Sequence, residues 1–120
     1  MICIVGEKCN EKVSQIPFHP RSQSCKRLKS IGMYWDSATN IEGMDIDRLR
    51  AHLERRYHKI VLVGGKAAAA FGFENVAPLS KPNCRYYVMP HPSGLNRWWN
   101  DKNNIAEAIR FLKEHELSER

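Results

Sequence analysis

The sequence contains no long apolar segment. No run approaches the roughly 20 apolar residues that a helix needs to span a bilayer, which argues against a transmembrane protein. The amino-terminal segment MICIVGEK has no basic region before its apolar residues and no cleavage site after them, so it does not match a secretory signal peptide. We therefore expect a cytoplasmic protein with no membrane partner.

The sequence contains no cysteine spacing that fits a common metal site. The four cysteines stand at positions 3, 9, 25 and 84, and no two of them form a C-x-x-C pair. The spacings typical of zinc and iron–sulfur ligands are therefore missing. We expect no metal, no cofactor and free thiols, as is usual in the cytoplasm.

Internal repeats, low-complexity segments and the common phosphate-binding motifs are also missing. Gly64-Gly65 comes directly before a helical pattern, but neither G-x-G-x-x-G nor G-x-x-x-x-G-K-[ST] occurs. We interpret these two glycines as turn and packing residues.

Basic residues outnumber acidic ones. The chain has 19 lysines and arginines against 13 aspartates and glutamates, a net charge of +6 and a pI of about 9.3. This balance favours an anionic partner, above all nucleic acid, although it also fits an ordinary solvated surface. The 120 residues, 42% of them hydrophobic, are enough for one domain with one modest core.

Four short strand patterns alternate with four helical patterns along the chain. The predicted strands cover Ile2–Val5, a segment ending near Asn40, Lys59–Val63 and Arg85–Met89. The helices are predicted after Ser22, after Asp45 or Asp47, from Lys66 and after Asp101. Apolar strands that alternate with helices are typical of parallel sheets covered on both faces. The pattern predicts a three-layer α/β/α sandwich with a four-stranded, mostly parallel sheet, and a polar tail at 116–120 that frays.

Three loops follow the carboxyl ends of the predicted strands, at 6–11, 40–43 and 90–97. Ligands of open α/β sheets bind at this edge, so these loops form the candidate site. The third loop reads HPSGLNRWW, and Pro90 and Pro92 stiffen the backbone around His91. A stiff loop that presents a histidine beside aromatic residues suits a functional site. The alternative is a rigid turn with a hydrogen-bonded histidine and packed tryptophans.

Taken in order, these segments resemble the uracil-DNA glycosylase superfamily over nearly the whole chain. VGEKCN is similar to its first strand and water-positioning loop, IPFHPRSQSCKRL to the Pro-Phe loop and helix of family 4-like members, and ATNI to a strand ending in Thr-Asn. IVLVGGKAAAAF is similar to a strand followed by a Gly-x-x-Ala-Ala helix. MPHPSGLNR resembles the HPS loop, close to the Pro-Ser-Gly-Leu form of mismatch-specific members. The resemblance implies one glycosylase-like domain over residues 1–120.

The resemblance also implies a base pocket and a catalytic histidine. Enzymes that act on a base flip it out of the stack, and the implied pocket consists of Gly6, Phe18, which stacks on the flipped base, and Asn40, which reads its edge. His91 would donate a hydrogen bond to the base oxygen that gains charge as the glycosidic bond breaks. The implied water-positioning residue is Glu7 or Asn10.

The implied DNA contacts follow His91 directly. Leu95 would enter the duplex as an apolar wedge where the base has left, and the neighbouring residues would hold flanking phosphates. The full set of implied DNA contacts is Ser93, Gly94, Leu95 and Arg97.

The first loop departs from the family pattern at Lys8. The superfamily often has its water-positioning residue at this place, and a cationic lysine cannot accept the proton of water. Glu7, Asn10 and Glu11 are the candidates to take over that role, and the sequence does not choose among them. The cluster cysteines of family 4-like members are not matched, so the resemblance implies no iron–sulfur cluster.

Three functions that act on nucleic acid or its components stay open from the sequence, beside a role of the fold unrelated to nucleic acid. The first is a monomeric hydrolase that cleaves the N-glycosidic bond of uracil or a related modified base in single- or double-stranded DNA. The second is a catalytically altered member that binds a base, a nucleotide or single-stranded DNA without turnover. The third is an enzyme of free nucleosides or nucleotides, which a short chain with few DNA loops would suit. The resemblance implies no role for Trp98 and Trp99, for which packing of the last helix is the preferred interpretation.

Overall fold

A computed structural model describes residues 1–7, 17–92 and 96–119. In chain order the elements are β1 (Ile2–Gly6), α1 (Gln23–Ser30), β2 (Ser37–Asn40), α2 (Ile46–Arg56), β3 (Lys59–Val63), α3 (Gly65–Ala70), β4 (Tyr86–Met89), a 3-10 turn (Arg97–Asn100) and α4 (Lys102–Glu114). The predicted alternation of strands and helices is confirmed, and the 3-10 turn is the one described element that the sequence patterns did not predict.

The four strands form one parallel sheet in the order β2-β1-β3-β4. Gly6 lies opposite Asn40 across the β1–β2 pairing, and Val63 lies opposite Met89 across the β3–β4 pairing. Because all three pairings are parallel, the carboxyl ends of the strands lie along one edge of the sheet. The loops that follow Gly6, Asn40 and Met89 therefore start from the same edge.

Helices cover both faces of this sheet. Alternate strand residues divide between two cores: Ile4 and Val61 pack in the first with Leu28 of α1 and Leu112 of α4. The second core contains Cys3, Val5, Ile60 and Leu62 together with residues of α2 and α3, namely Leu49, Leu53, Ala67 and Ala68. The fold is therefore the predicted α/β/α sandwich.

Side-chain caps set the starts of three helices. Ser22 accepts from the Cys25 N–H at 3.1 Å to begin α1, and Asp101 accepts from the Asn103 N–H at 2.8 Å to begin α4. Asp45 accepts from the Arg48 N–H at 3.3 Å, which identifies it, rather than Asp47, as the cap of α2. These caps satisfy amide groups that have no partner within the first turn of a helix.

The carboxyl-terminal residues contradict the expectation of a frayed tail. Leu117 is fully buried in the first core, and its carbonyl accepts from the Tyr34 N–H at 2.8 Å. The Glu119 N–H donates to the Gly32 carbonyl at 2.8 Å, so residues 116–119 lie against the segment between α1 and β2. The prediction of fraying was wrong because one apolar side chain within a polar tail is enough to attach it to the core.

No helix in the described ranges is both long and apolar enough to cross a membrane.

The side chains of Cys3, Cys25 and Cys84 carry free thiols, and Cys9 lies outside the described residues.

The carboxylate of Asp36 links the start of β1 to the segment before β2. It accepts from the Ile2 N–H and from the Tyr34 hydroxyl, both at 2.6 Å. The hydrogen bond from Tyr34, followed by that from the Ile2 amide, holds the pKa of Asp36 below its usual range. The ionised carboxylate therefore favours the folded state.

We expect Asp36→Asn to lower the Tm at pH 7 by roughly 3 °C, since it weakens two hydrogen bonds to an exposed charged acceptor. Because the folded-state pKa is the lower one, this stabilisation is present above the unfolded value of about 3.9 and is lost as the pH falls through the folded value. The gap between the wild type and the variant should therefore close in acid, as thermal melts at pH 7 and pH 2.5 would show. Glu107→Gln, on the exposed side of α4, is the matched control; a gap that stays constant with pH would contradict the assignment.

Candidate active site

Gly6, Phe18 and Asn40 lie together at the carboxyl edge of the sheet. A Cβ at Gly6 would lie 2.8 Å from both Asn40 Oδ1 and Phe18 Cζ, closer than real Cβ atoms come to other atoms. A glycine at the end of β1 is therefore what allows the amide of Asn40 and the ring of Phe18 to approach this backbone. The three residues predicted to bind the base are brought together by the fold.

The Phe18 ring is held by an unusual backbone conformation and by an aromatic neighbour. Phe18 has a φ of +52°, in the left-handed region that residues other than glycine rarely adopt. Its half-buried ring meets Trp35 edge-on with the centroids 6.0 Å apart, and Lys29 Nζ lies 4.3 Å from the centroid of the Trp35 ring. Strained residues of this kind concentrate at binding and catalytic sites.

Glu7 and His91 form a second group next to the first. Their facing atoms, Glu7 Oε2 and His91 Nε2, are 3.6 Å apart, and the side chains are 22% and 38% exposed, respectively. The two groups form an ion pair when the imidazole is protonated. A carboxylate next to an imidazole that remains partly open to solvent is an arrangement suited to proton transfer and to hydrogen bonding with a ligand.

Gly64 is the residue against which Glu7 and His91 pack. A Cβ at Gly64 would lie 2.8 Å from His91 Cδ2 and 2.9 Å from Glu7 Oε1, and the φ of this glycine is +98°. Its N–H donates to the Met89 carbonyl at 2.9 Å, which fixes the end of β3 to the end of β4. The packing role inferred from the sequence is confirmed for Gly64, and its packing partners are the candidate catalytic residues.

The two groups meet at the Gly6–Glu7 peptide. The Gly6 carbonyl accepts from the Ile41 N–H at 3.0 Å, and the Glu7 carbonyl accepts from the Glu42 N–H at 3.1 Å. These bonds continue the β1–β2 pairing past the last strand residues, so the backbone between the two groups is fixed. An apolar ring, an amide and a carboxylate–imidazole pair thus lie around one short segment of fixed backbone.

The main chain of His91 is also fixed. Its carbonyl accepts from Asn96 Nδ2 at 2.7 Å and from Trp99 Nε1 at 2.8 Å. Trp99 is only 4% exposed and packs in the first core with the half-buried Trp98 against it, so the packing interpretation of the two tryptophans is confirmed. The sequence analysis did not identify Asn96 as a site residue. A hydrogen bond from its side-chain amide to the carbonyl of residue 91 leaves no periodic pattern in the sequence.

Several predicted site residues cannot be placed in the same way. Asn10 of the first loop, together with Lys8 and Glu11, lies outside the described residues, as do Ser93, Gly94 and Leu95 of the third. Arg97 is exposed in the 3-10 turn. The roles predicted for these residues stay predictions. Within residues 1–7, 17–92 and 96–119, no group of three or more histidine, cysteine or carboxylate side chains is arranged to hold a metal ion.

Comparison with known proteins gives one match. A family model described as the uracil DNA glycosylase superfamily matches residues 13–113 of the 120. The matched range includes Phe18, Asn40, Gly64 and His91, whereas the first loop with Glu7 precedes it. No curated protein and no solved structure matches the chain. The superfamily resemblance seen in the sequence is confirmed, and the finer resemblance to family 4-like and mismatch-specific members stays a prediction.

Proposed function

The chain belongs to the uracil DNA glycosylase superfamily, and from this premise we propose that it hydrolyses the N-glycosidic bond of uracil or a related modified base in DNA. The observation that carries the proposal is the packing of Phe18 and Asn40 around Gly6, directly beside the Glu7–His91 pair. The pocket supplies recognition of a planar base, and the pair supplies the acid–base groups for its release.

Phe18 and Asn40 recognise the base in complementary ways. The apolar ring of Phe18 stacks on a planar heterocycle, which must first leave the base stack of the DNA. The Asn40 side chain carries both an acceptor oxygen and a donor nitrogen, so it pairs with an adjacent N–H and carbonyl on the edge of a pyrimidine. Gly6 adds no side chain that would compete with the base for this space.

We propose that His91 acts on the leaving base and Glu7 on the attacking water. The oxygen of a water molecule bonds to C1′ of the deoxyribose while the C1′–N bond breaks, and the electron pair of that bond passes to the base. His91 donates a hydrogen bond to the base oxygen on which the negative charge develops. Glu7 positions the water and accepts its proton, so an abasic site and the free base are the products.

The Glu7 carboxylate also prepares His91 for its role. A carboxylate accepts hydrogen bonds and cannot donate them, so it favours the imidazole tautomer with the proton on the facing nitrogen, Nε2. When the substrate is bound, the base oxygen then takes the place of Glu7 as the acceptor of this Nε2–H. This also explains how the first loop functions with Lys8 in it, because Glu7 supplies the proton acceptor that a lysine cannot.

DNA is the partner class that fits both the family and the charge of the chain. The net charge of +6 favours a polyanion. We propose Ser93, Gly94 and Arg97 as phosphate contacts and Leu95 as the wedge that fills the space left by the base, with the protein acting as a monomer in the cytoplasm.

A direct assay tests the proposed reaction. The protein is incubated with single- and double-stranded oligonucleotides that contain one uracil, and hot alkali then cuts the strand at any abasic site. We expect cleavage at the uracil, no cleavage of the matched oligonucleotide with thymine at that position, and a rate that falls with salt. Binding without cleavage would favour the catalytically altered member that Lys8 suggests. Activity on mononucleotides that does not depend on salt would indicate that free nucleotides are the substrates.

A further inference from the structure

The backbone carbonyl of His91 is the meeting point of two side-chain donors from the segment that follows it. We propose that Asn96 and Trp99 are positioning residues, which hold His91 in the orientation needed for base release; this inference rests on the proposed function. Asn96 Nδ2 and Trp99 Nε1 reach the carbonyl at 2.7 and 2.8 Å. We call these two hydrogen bonds the His91 clamp.

Both donors of the His91 clamp are themselves fixed. Asn96 Oδ1 accepts from the Trp98 N–H at 3.1 Å, so the oxygen of this amide points to the turn and its nitrogen points to His91. Trp99 is buried. The Trp98 ring meets it edge-on with the ring centroids 4.9 Å apart, and the Arg27 guanidinium lies 5.5 Å from the Trp99 ring centroid. The clamp therefore connects the His91 carbonyl to side chains that are themselves held in place.

The clamp restricts the remaining freedom of the His91 backbone. Pro90 and Pro92 flank the histidine, and a proline limits both its own φ and the conformation of the residue before it. Two hydrogen bonds to the carbonyl fix the plane of the 91–92 peptide, and with it the direction in which the imidazole leaves the chain. On the other side, the ring packs against Gly64, where a Cβ would lie 2.8 Å from His91 Cδ2. The clamp thus fixes the main chain of His91, and Gly64 and Glu7 contact its side chain.

Position is decisive for a donor of this kind. A displacement of about 1 Å at a reacting centre can cost 10²-fold in rate, whereas a residue that only stabilises the turn would affect activity through the folded fraction. A positioning role therefore predicts a loss of kcat per folded molecule with little change in KM. It also predicts that the loss requires the imidazole of His91.

Three single variants separate these roles. Asn96→Asp keeps an oxygen for the Trp98 N–H and removes the donor to His91, and Trp99→Phe keeps an aromatic ring and removes the indole N–H. Asn104→Asp is the matched control, because Asn104 Nδ2 donates to the Trp98 carbonyl at 3.0 Å and not to His91. It makes the same chemical change at a residue of α4 that bonds to the same turn.

We expect Asn96→Asp and Trp99→Phe to lower kcat about tenfold on the uracil oligonucleotide, with KM within about twofold. The Asn104→Asp control should stay within about twofold of the wild type. In a His91→Ala background, neither clamp variant should cause a further loss, because there is no imidazole left to position. Full activity of both clamp variants, or an equal loss in the His91→Ala background, would overturn the proposal.

A second measurement tests the clamp without relying on activity. Hydrogen exchange of a peptide covering residues 90–100, followed by mass spectrometry, should be faster in Asn96→Asp and Trp99→Phe and unchanged in Asn104→Asp. Unchanged exchange in both clamp variants would reject the clamp even in an active enzyme. The wild type could also release no base while exchange rises in the clamp variants. In that case the proposed function fails, and the clamp only stabilises the loop, which overturns its positioning role.

Discussion

Replacement of His91 by alanine is expected to lower the rate of uracil release at least about 10²-fold, because removal of one preorganised donor to a developing negative charge has an effect of this size. The imidazole is 38% exposed, so the substitution removes little buried surface and the variant should keep its fold. Single-turnover cleavage of the uracil oligonucleotide with excess protein measures the chemical step without interference from product release.

The control for His91→Ala is a second exposed histidine. His52 lies on the outer side of α2, away from the carboxyl edge of the sheet, and His52→Ala should leave the rate unchanged. Equal melting temperatures of the two variants would show that a loss in His91→Ala is not a loss of folded protein. A His91→Ala variant with wild-type activity would remove His91 from the mechanism and, with it, the role of the pair.

Gly6→Ala is expected to have the other large effect, a fall in kcat/KM of about 10²-fold. The added methyl group would lie 2.8 Å from Asn40 Oδ1 and from Phe18 Cζ, so both side chains must move. These two side chains are the groups proposed to hold the base, so the change acts on the pocket directly. Misplacement of substrate-positioning groups by about 1 Å is enough for a loss of this size.

Gly65→Ala is the matched control for Gly6→Ala. It makes the same change at the first residue of α3, where a Cβ would meet no atom within 4 Å. Alanine is also the better helix former, so this variant should be fully active and no less stable than the wild type. Uracil titrations and thermal melts of both variants separate a damaged pocket from a damaged fold. If Gly6→Ala retained both base affinity and activity, Phe18 and Asn40 would not line the binding site.

The strands, the helix starts and the class of fold were predictable because they depend on neighbours in sequence. Apolar runs such as Ile2–Val5 and Lys59–Val63 predict buried parallel strands, and Ser22 and Asp101 predict helix starts because a cap bonds within its own first turn. The choice between Asp45 and Asp47 was not predictable, since both offer a carboxylate near the first turn.

The candidate site was predictable in part. Phe18, Asn40 and His91 were identified through resemblance to the family, and the placement of loops at one edge followed from the parallel sheet. Their approach to Gly6 and Glu7 required the pairing of Gly6 with Asn40 across two strands. Strand register of this kind is set by the packing of the whole sheet.

By itself, then, the sequence determined the α/β/α class, the edge at which the candidate site lies and the family, because local patterns and motifs record them. The tertiary structure alone decided which atoms meet there. Gly64 appears in the sequence as a turn glycine, Trp99 as a packing residue and Leu117 as part of a polar tail, yet they contact residues far along the chain: Glu7, Arg27 and Tyr34, respectively. Contacts between distant residues depend on shape complementarity across the folded chain, and a single sequence carries no local signal for them.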